Sequence, residues 1–207
     1  MDYEHIRAIM ASGSFFGYFL QVLPISLITG AVYAVWRAAY LRRKKRKTDF
    51  GKELFLTVFV CYLSGLFNLL LLPINFWLTV FDGVLTGVWR QPGRFFHYAE
   101  IIRVPFIVKY CRGEAAATSR AIGMLVGNFL MFVPFGFCLP LLTKKVNIKS
   151  IFFIAALTPL AVELLQYIPG RSLDVDDLIC NFLGILIGFF AAYPLIRRRR
   201  KSHNNKS

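Results

Sequence analysis

Five long apolar runs constrain this chain more than any other feature of its sequence. They occupy residues 15–36, 54–78, 121–142, 151–168 and 178–196. Crossing the hydrocarbon core of a bilayer as a helix takes about 20 consecutive apolar residues. A backbone in hydrocarbon must satisfy its own polar groups, which an isolated run can do only as a helix. The pattern therefore predicts an all-α, polytopic integral membrane protein with five transmembrane helices. Composition agrees: 57% of the residues are apolar and only 17% charged, against about 25% charged in soluble domains.

The net charge of +14 is concentrated where the apolar runs end. After the first run come Arg37, Arg42, Arg43, Lys44, Lys45, Arg46, Lys47 and Lys52. Lys144, Lys145 and Lys149 separate the third run from the fourth, and Arg197 to Lys201 with Lys206 close the chain. If these segments share one side of the membrane, that side holds 17 of the 25 basic residues: eight, three and six. Short basic segments beside spans stay cytoplasmic, so the N-terminus is expected outside and the C-terminus inside. A cleaved leader would carry its positive charge ahead of a shorter apolar stretch, so the first run reads as a retained span. The same tracts argue against nucleic acid as a partner. They abut helices directly, no base-reading module surrounds them, and juxtamembrane clusters attract anionic lipid headgroups.

On this topology residues 79–120 form a long outer loop that is not simply hydrophilic. Phe95, Phe96, Tyr98, Ile101, Ile102, Val104, Phe106, Ile107, Val108 and Tyr110 alternate with Arg94, Arg103, Lys109 and Arg112. Pro105 prevents one continuous helix. The composition fits a segment lying in the outer interface and fits equally a loop packed on the helix ends. The expected organisation is residues 1–120 as two spans plus this loop, 121–196 as a three-helix core, and 197–207 as a basic cytoplasmic tail.

Metal and thiol chemistry find little support. Cys61, Cys111, Cys138 and Cys180 show no C-x-x-C spacing, and His5, His97 and His203 are scattered. Neither a metal site, a cofactor nor a disulfide framework is expected. The residues with chemical potential are polar ones inside the last three spans. Asn128 lies in the third run, Glu163 and Gln166 in the fourth, and Asn181 in the fifth; Arg171, Asp174, Asp176 and Asp177 fill the intervening turn. At 1.5 Å per residue, Asn128, Glu163 and Asn181 lie about 7–10 Å below the outer ends of their helices and Gln166 about 3 Å. These depths are comparable, as one shared site requires.

Helical faces agree with this reading. Glu163 and Gln166 are i, i+3 neighbours. Asp177, Asn181, Gly184 and Gly188 form one polar-and-small stripe, and Gly123 with Gly127 repeats the small-xxx-small spacing that allows close helix approach. An ionised Glu163 facing lipid would cost about 2.5 kcal/mol or more, so it is expected to face the bundle and either pair, with Arg171 nearest in sequence, or take up a proton. Two readings stay open: a polar clamp tying the spans together, and a polar cavity open to the outer leaflet.

Three segments of the last spans then carry a resemblance. Asn-Phe-Leu-Met-Phe-Val-Pro-Phe-Gly-Phe (128–137), Glu-Leu-Leu-Gln (163–166) and Arg-Ser-Leu-Asp-Val-Asp-Asp-Leu-Ile-Cys-Asn-Phe-Leu-Gly (171–184) resemble the VanZ-like membrane proteins, in the same order, over residues 121–192. The first two spans, with Leu-Pro-Ile-Asn-Phe-Trp (72–77), resemble a clostridial-type branch of that family. The resemblance implies a multi-pass protein of the bacterial plasma membrane. Its motif positions fall on Asn128, Pro134, Gly136, Glu163, Gln166, Arg171, Asp174, Asp177, Asn181 and Gly184, with Pro134, Gly136 and Gly184 as structural positions.

The family takes its name from low-level resistance to the lipoglycopeptide teicoplanin, which implies partners among membrane lipids, lipoglycopeptides and lipid-linked cell-wall precursors. A non-enzymatic binding role and an enzyme acting on a lipid-linked or cell-wall substrate both remain open. Glu163 with Asp174 or Asp177 could supply acid and base, since burial raises a carboxyl pKa, but no Ser/His/Asp set, metal-ligand set or phosphate loop accompanies them. A transporter is a third option, without an evident inverted repeat.

Overall fold

The computed structural model describes residues 3–73, 75–90, 101–102, 104–114, 116–143, 145–167 and 173–204. Five of its helices are long and apolar enough to cross a membrane, and the chain divides into two units, residues 1–95 and 96–207.

In the first unit, a short helix α1 (Tyr3–Met10) precedes the long α2 (Phe15–Arg43). Ser14 caps α2 by accepting the Gly17 N–H at 3.0 Å, and Asp49 caps α3 (Phe50–Leu71) by accepting that of Lys52 at 3.3 Å. Such caps satisfy N–H groups that have no partner within the helix. Helices α2 and α3 pack through small residues. A Cβ on Gly30 would fall 2.0 Å from the Cys61 sulfur, and one on Gly65 would fall 3.0 Å from the Ser26 hydroxyl. The Ser64 hydroxyl donates to that of Thr29 at 3.1 Å. Towards the basic end, Arg37 forks onto Glu53 at 2.8 and 3.2 Å.

The second apolar run does not continue to residue 78 as one helix. Helix α3 ends at Leu71, and a separate helix α4 spans Phe76–Thr86. Pro73 explains the break: it has no N–H to donate and it disfavours helical backbone at Leu72, whose ψ is 149°. Asn75, at φ 62°, then turns the chain. Residues 79–86, assigned above to the outer loop, complete α4. Asp82 of α4 accepts both Nε and Nη2 of Arg7 from α1, at 2.9–3.1 Å, together with the Tyr3 hydroxyl. The guanidinium, despite the cost of burial, holds the Asp82 carboxyl below its usual range, while burial and Asp82 push the Tyr3 phenol up to about 12.

The second unit is built around its last helix. Helices α6 (Ser119–Leu142) and α7 (Ile148–Tyr167) both pack on α8 (Val175–Asn204). The buried line on α7 is Ile151, Ala155, Pro159, Glu163 and Gln166, which is a single face of a 3.6-residue helix. On α8 it is Asn181, Gly184, Ile185, Gly188, Phe189, Ala192 and Ile196. Glycines bring α6 and α8 into backbone contact. Cβ atoms on Gly136, Gly184 and Gly188 would sit 2.0–2.3 Å from carbonyl oxygens of the facing helix. Gly123, in contrast, is exposed with nothing within 4 Å, so of the predicted Gly123/Gly127 pair only Gly127 is buried.

Part of the long loop joins this unit rather than the first two spans. The two-residue strand β1 (Ile101–Ile102) pairs in parallel with β2 (Leu173–Asp174), and a short helix α5 (Phe106–Cys111) follows Pro105. Strand β1 is thus tied to the chain entering α8, while Ile107 and Tyr110 of α5 stay exposed, as either arrangement of the loop allows; Phe95, Phe96, Tyr98, Arg94 and Arg103 lie outside the described residues.

Candidate functional site

The polar residues of the last three spans converge on the start of α8. Asp174 precedes the helix, and Asp176 and Asp177 occupy its first turn, where carboxylates are favoured by the positive end of the helix dipole. Each of the three engages a different element. Asp177 accepts a hydrogen bond from the Asn128 amide of α6. The Asp176 carboxylate accepts the Phe106 N–H at 2.8 and 3.0 Å, holding the beginning of α5. Asp174 accepts the Asp176 N–H at 2.9 Å, and its own backbone N–H donates to Glu163 Oε2 of α7 at 3.3 Å.

Below this layer lie three polar side chains withdrawn from the surface. Glu163 is 0% exposed, Asn181 2% and Gln166 4%. Burying a polar group without a hydrogen bond is costly, so their presence along an otherwise apolar interface needs partners or a purpose. Asn181 shows the tension most clearly, because its Oδ1 is buried with no hydrogen-bond partner among the described residues. Near the surface, burial first and then the neighbouring Asp176 charge raise the Asp174 carboxyl above its ordinary range, against the lowering effect of the Asp176 N–H.

The sequence reading placed Asn128, Glu163, Gln166, Asp174, Asp177 and Asn181 in one region. All six lie on elements packed against or leading into α8, with contacts joining Asn128 to Asp177 and Glu163 to Asp174. Arg171 lies outside the described residues. Gly136 and Gly184 stand at the α6–α8 contact, whereas Pro134 is on an exposed side of α6 and does not end that helix. Asp176, which is not among the motif positions of the resemblance, ties α5 to α8. Pro105 was the available signal: a helix starting just after a proline leaves N–H groups that need an outside acceptor. The pairing of 101–102 with 173–174 had no signal, since two residues carry no periodicity.

The fold and this arrangement define a helical multi-pass membrane protein whose last three spans share a buried polar cluster at one end. Residues 14–197 match the family model described as VanZ/LLP1, and the chain belongs to that family. Neither the curated proteins nor the solved structures gave a match to the chain.

Proposed function

We propose that the cluster around the start of α8 is a binding site near the outer surface of the bacterial plasma membrane, and that through it the protein lowers susceptibility to teicoplanin-type lipoglycopeptides. The observation that carries this reading is the burial of Glu163, Gln166 and Asn181 in one interface, with an Asn181 carbonyl oxygen that accepts no hydrogen bond among the described residues. A purely structural clamp is expected to satisfy every buried polar atom. A site that accepts donors from a ligand has reason to hold one in reserve. Lipoglycopeptides and lipid-linked wall precursors both present amide and ammonium donors close to the membrane surface. The orientation belongs to the proposal: the N-terminus outside, and the basic segments at 37–52, 143–149 and 197–207 in the cytoplasm, as the positive-inside rule favours.

The test is drug susceptibility of cells expressing Glu163→Gln, Asn181→Leu or Asn128→Ala at matched membrane levels. Loss of the difference between expressing and non-expressing cells is expected for each. An undiminished difference in all three overturns the binding site. One observation favours the alternative, a membrane enzyme acting on a lipid-linked or cell-wall substrate. Burial raises the Asp174 carboxyl, as a general acid needs, and the Asp174 backbone N–H donates to the buried Glu163 of the same cluster. Comparing envelope lipids and wall peptides with and without the protein separates the two, since a new covalent product requires the enzyme and unaltered envelope chemistry excludes it.

A further inference from the structure

The two ends of the second unit are sorted by charge. After Glu114 the sequence contains four acidic residues, Glu163, Asp174, Asp176 and Asp177, and all four belong to the polar end just described. The opposite end carries Lys145, Lys149 and Arg197, and the sequence holds further cations beside them, at 144 and 198–201, and no acidic residue in 143–162 or 178–207. Its cations therefore have no carboxylate of their own unit nearby in sequence to neutralise them.

A pocket of about 320 Å³ opens at this basic end. One wall is residues 146–149, the end of the turn and the start of α7; the other is Phe189, Tyr193 and Ile196 of α8. Its floor is apolar, made by Phe189, Val146 and Ile196, exposed by only 1%, 5% and 8%. Its rim combines charge with apolar surface: Lys149 is exposed, and Ile148 and Tyr193 keep 45% and 37% of theirs. Asn147 and Ser150 cap the start of α7 reciprocally, at 2.8 and 2.9 Å, so the positive end of that helix dipole faces the same rim.

We propose that this pocket seats the phosphate headgroup of an anionic phospholipid. Lys149 and the start of α7 meet the phosphate, and the upper acyl chain lies against the exposed apolar surface of Ile148 and Tyr193. Charge complementarity selects an anion. The exposed apolar surface of Ile148 and Tyr193 selects a lipid over free phosphate, because inorganic phosphate gains nothing from covering it. Depth agrees: the pocket lies where the apolar run of α8 gives way to Arg197, the level at which a span meets headgroups. Basic pockets between spans are a recurrent means of retaining anionic lipid. The inference is independent of the proposed drug-related site at the other end.

The experiment uses the purified full-length protein in detergent micelles, incubated with phosphatidylglycerol or phosphatidylcholine and read by native mass spectrometry. Wild type is expected to retain one phosphatidylglycerol under conditions that strip phosphatidylcholine. Lys149→Gln is expected to weaken that adduct about fivefold, and Lys149→Arg to restore it. Neutralising residues 197–201 to glutamine lowers overall lipid uptake but leaves the single tight adduct. The proposal is overturned if Lys149→Gln retains phosphatidylglycerol like wild type, if both lipids are held equally, or if the adduct disappears with the tail charges alone. Displacement by millimolar inorganic phosphate also overturns it, because the anion alone would then account for binding. Lys149 is exposed, so its substitution leaves the fold intact, and an unchanged melting curve verifies this.

Discussion

Replacing Gly136 by alanine tests whether the α6–α8 contact holds the polar cluster together. A Cβ at this position would fall 2.0 Å from the Ile185 carbonyl oxygen and 2.7 Å from its carbonyl carbon. Both are backbone atoms of α8, so no side chain can rotate away. Ordinary contact begins at 3.4 Å, so the helices must part locally by roughly 1.4 Å, the difference between those two distances. A gap of 0.5–1 Å already forfeits about a quarter to a half of each dispersion contact, and overpacking of well-packed interiors costs about 1–3 kcal/mol. Gly136→Ala is expected at the upper end of that range. Gly188→Ala, with its Cβ 2.1 Å from the Val133 oxygen, is expected to cost a similar amount. The double variant should cost less than the sum, since one separation relieves both clashes. Gly123→Ala is the control: nothing lies within 4 Å, and alanine favours the helix by about 0.5–1 kcal/mol. The assay is thermal unfolding in detergent, followed by a thiol-reactive dye that reports exposure of the half-buried Cys138 and Cys180, in a background lacking Cys61 and Cys111. A Gly136→Ala variant that unfolds at the wild-type temperature, or a Gly123→Ala variant equally destabilised, would refute the close-contact reasoning.

Other predictions address the clusters directly. Asn128→Ala removes the donor to Asp177 and is expected to cost about 1.5–3 kcal/mol, as for hydrogen bonds to charged groups; a double-mutant cycle with Asp177→Ala should show most of that cost as coupling. The Asp174 carboxyl is raised by burial, so its ionisation opposes folding as pH rises through the folded value. Asp174→Asn keeps an oxygen for the Asp176 N–H and should raise stability at pH 7, with the gain shrinking towards pH 4; an unchanged or opposite pH trend in the melting curves contradicts the assignment. For Asp82 the sign reverses. Its carboxyl is lowered by Arg7, so the clamp on α1 contributes fully above the usual aspartate range near 3.9 and is lost as pH falls through the lowered folded value. Protection of residues 3–10 against hydrogen exchange, taken relative to the unstructured rate at each pH, should hold at pH 5 and fall only below about 4, whereas Asp82→Asn should lower it at pH 5 as well. Sidedness is read with single cysteines at the exposed Ala117 and Lys145: a membrane-impermeant reagent on intact cells should label the first and spare the second, and the reverse pattern inverts the proposed topology.

The legible parts of this protein were those written as long periodic signals. Apolar runs of span length identify the helices, because a helix in hydrocarbon depends on its own sequence more than on its neighbours. Within the stripe Asp177, Asn181, Gly184, Gly188, whose first member is only half-buried, the last three were readable for a related reason. Residues at these spacings share a face whatever that face meets, and the structure buries all three. The break at Pro73 was also available, through the missing N–H, although the apolar run continued across it and concealed it. Glycine spacing alone was a weaker guide. Gly123 and Gly136 sit on the same helix in similar apolar surroundings, but only the second meets a backbone.

Sequence by itself settled that this chain forms span-length helices and which residues on each helix share a face. These are properties of one helix and its solvent. Only the tertiary structure decided that α8 is the helix on which α6 and α7 pack, that its first turn holds α5 and α6, and that a pocket opens at the basic end. Those outcomes depend on which faces come within a few ångströms of one another. Contacts between residues as distant as Phe106 and Asp176 leave no periodic trace along the chain.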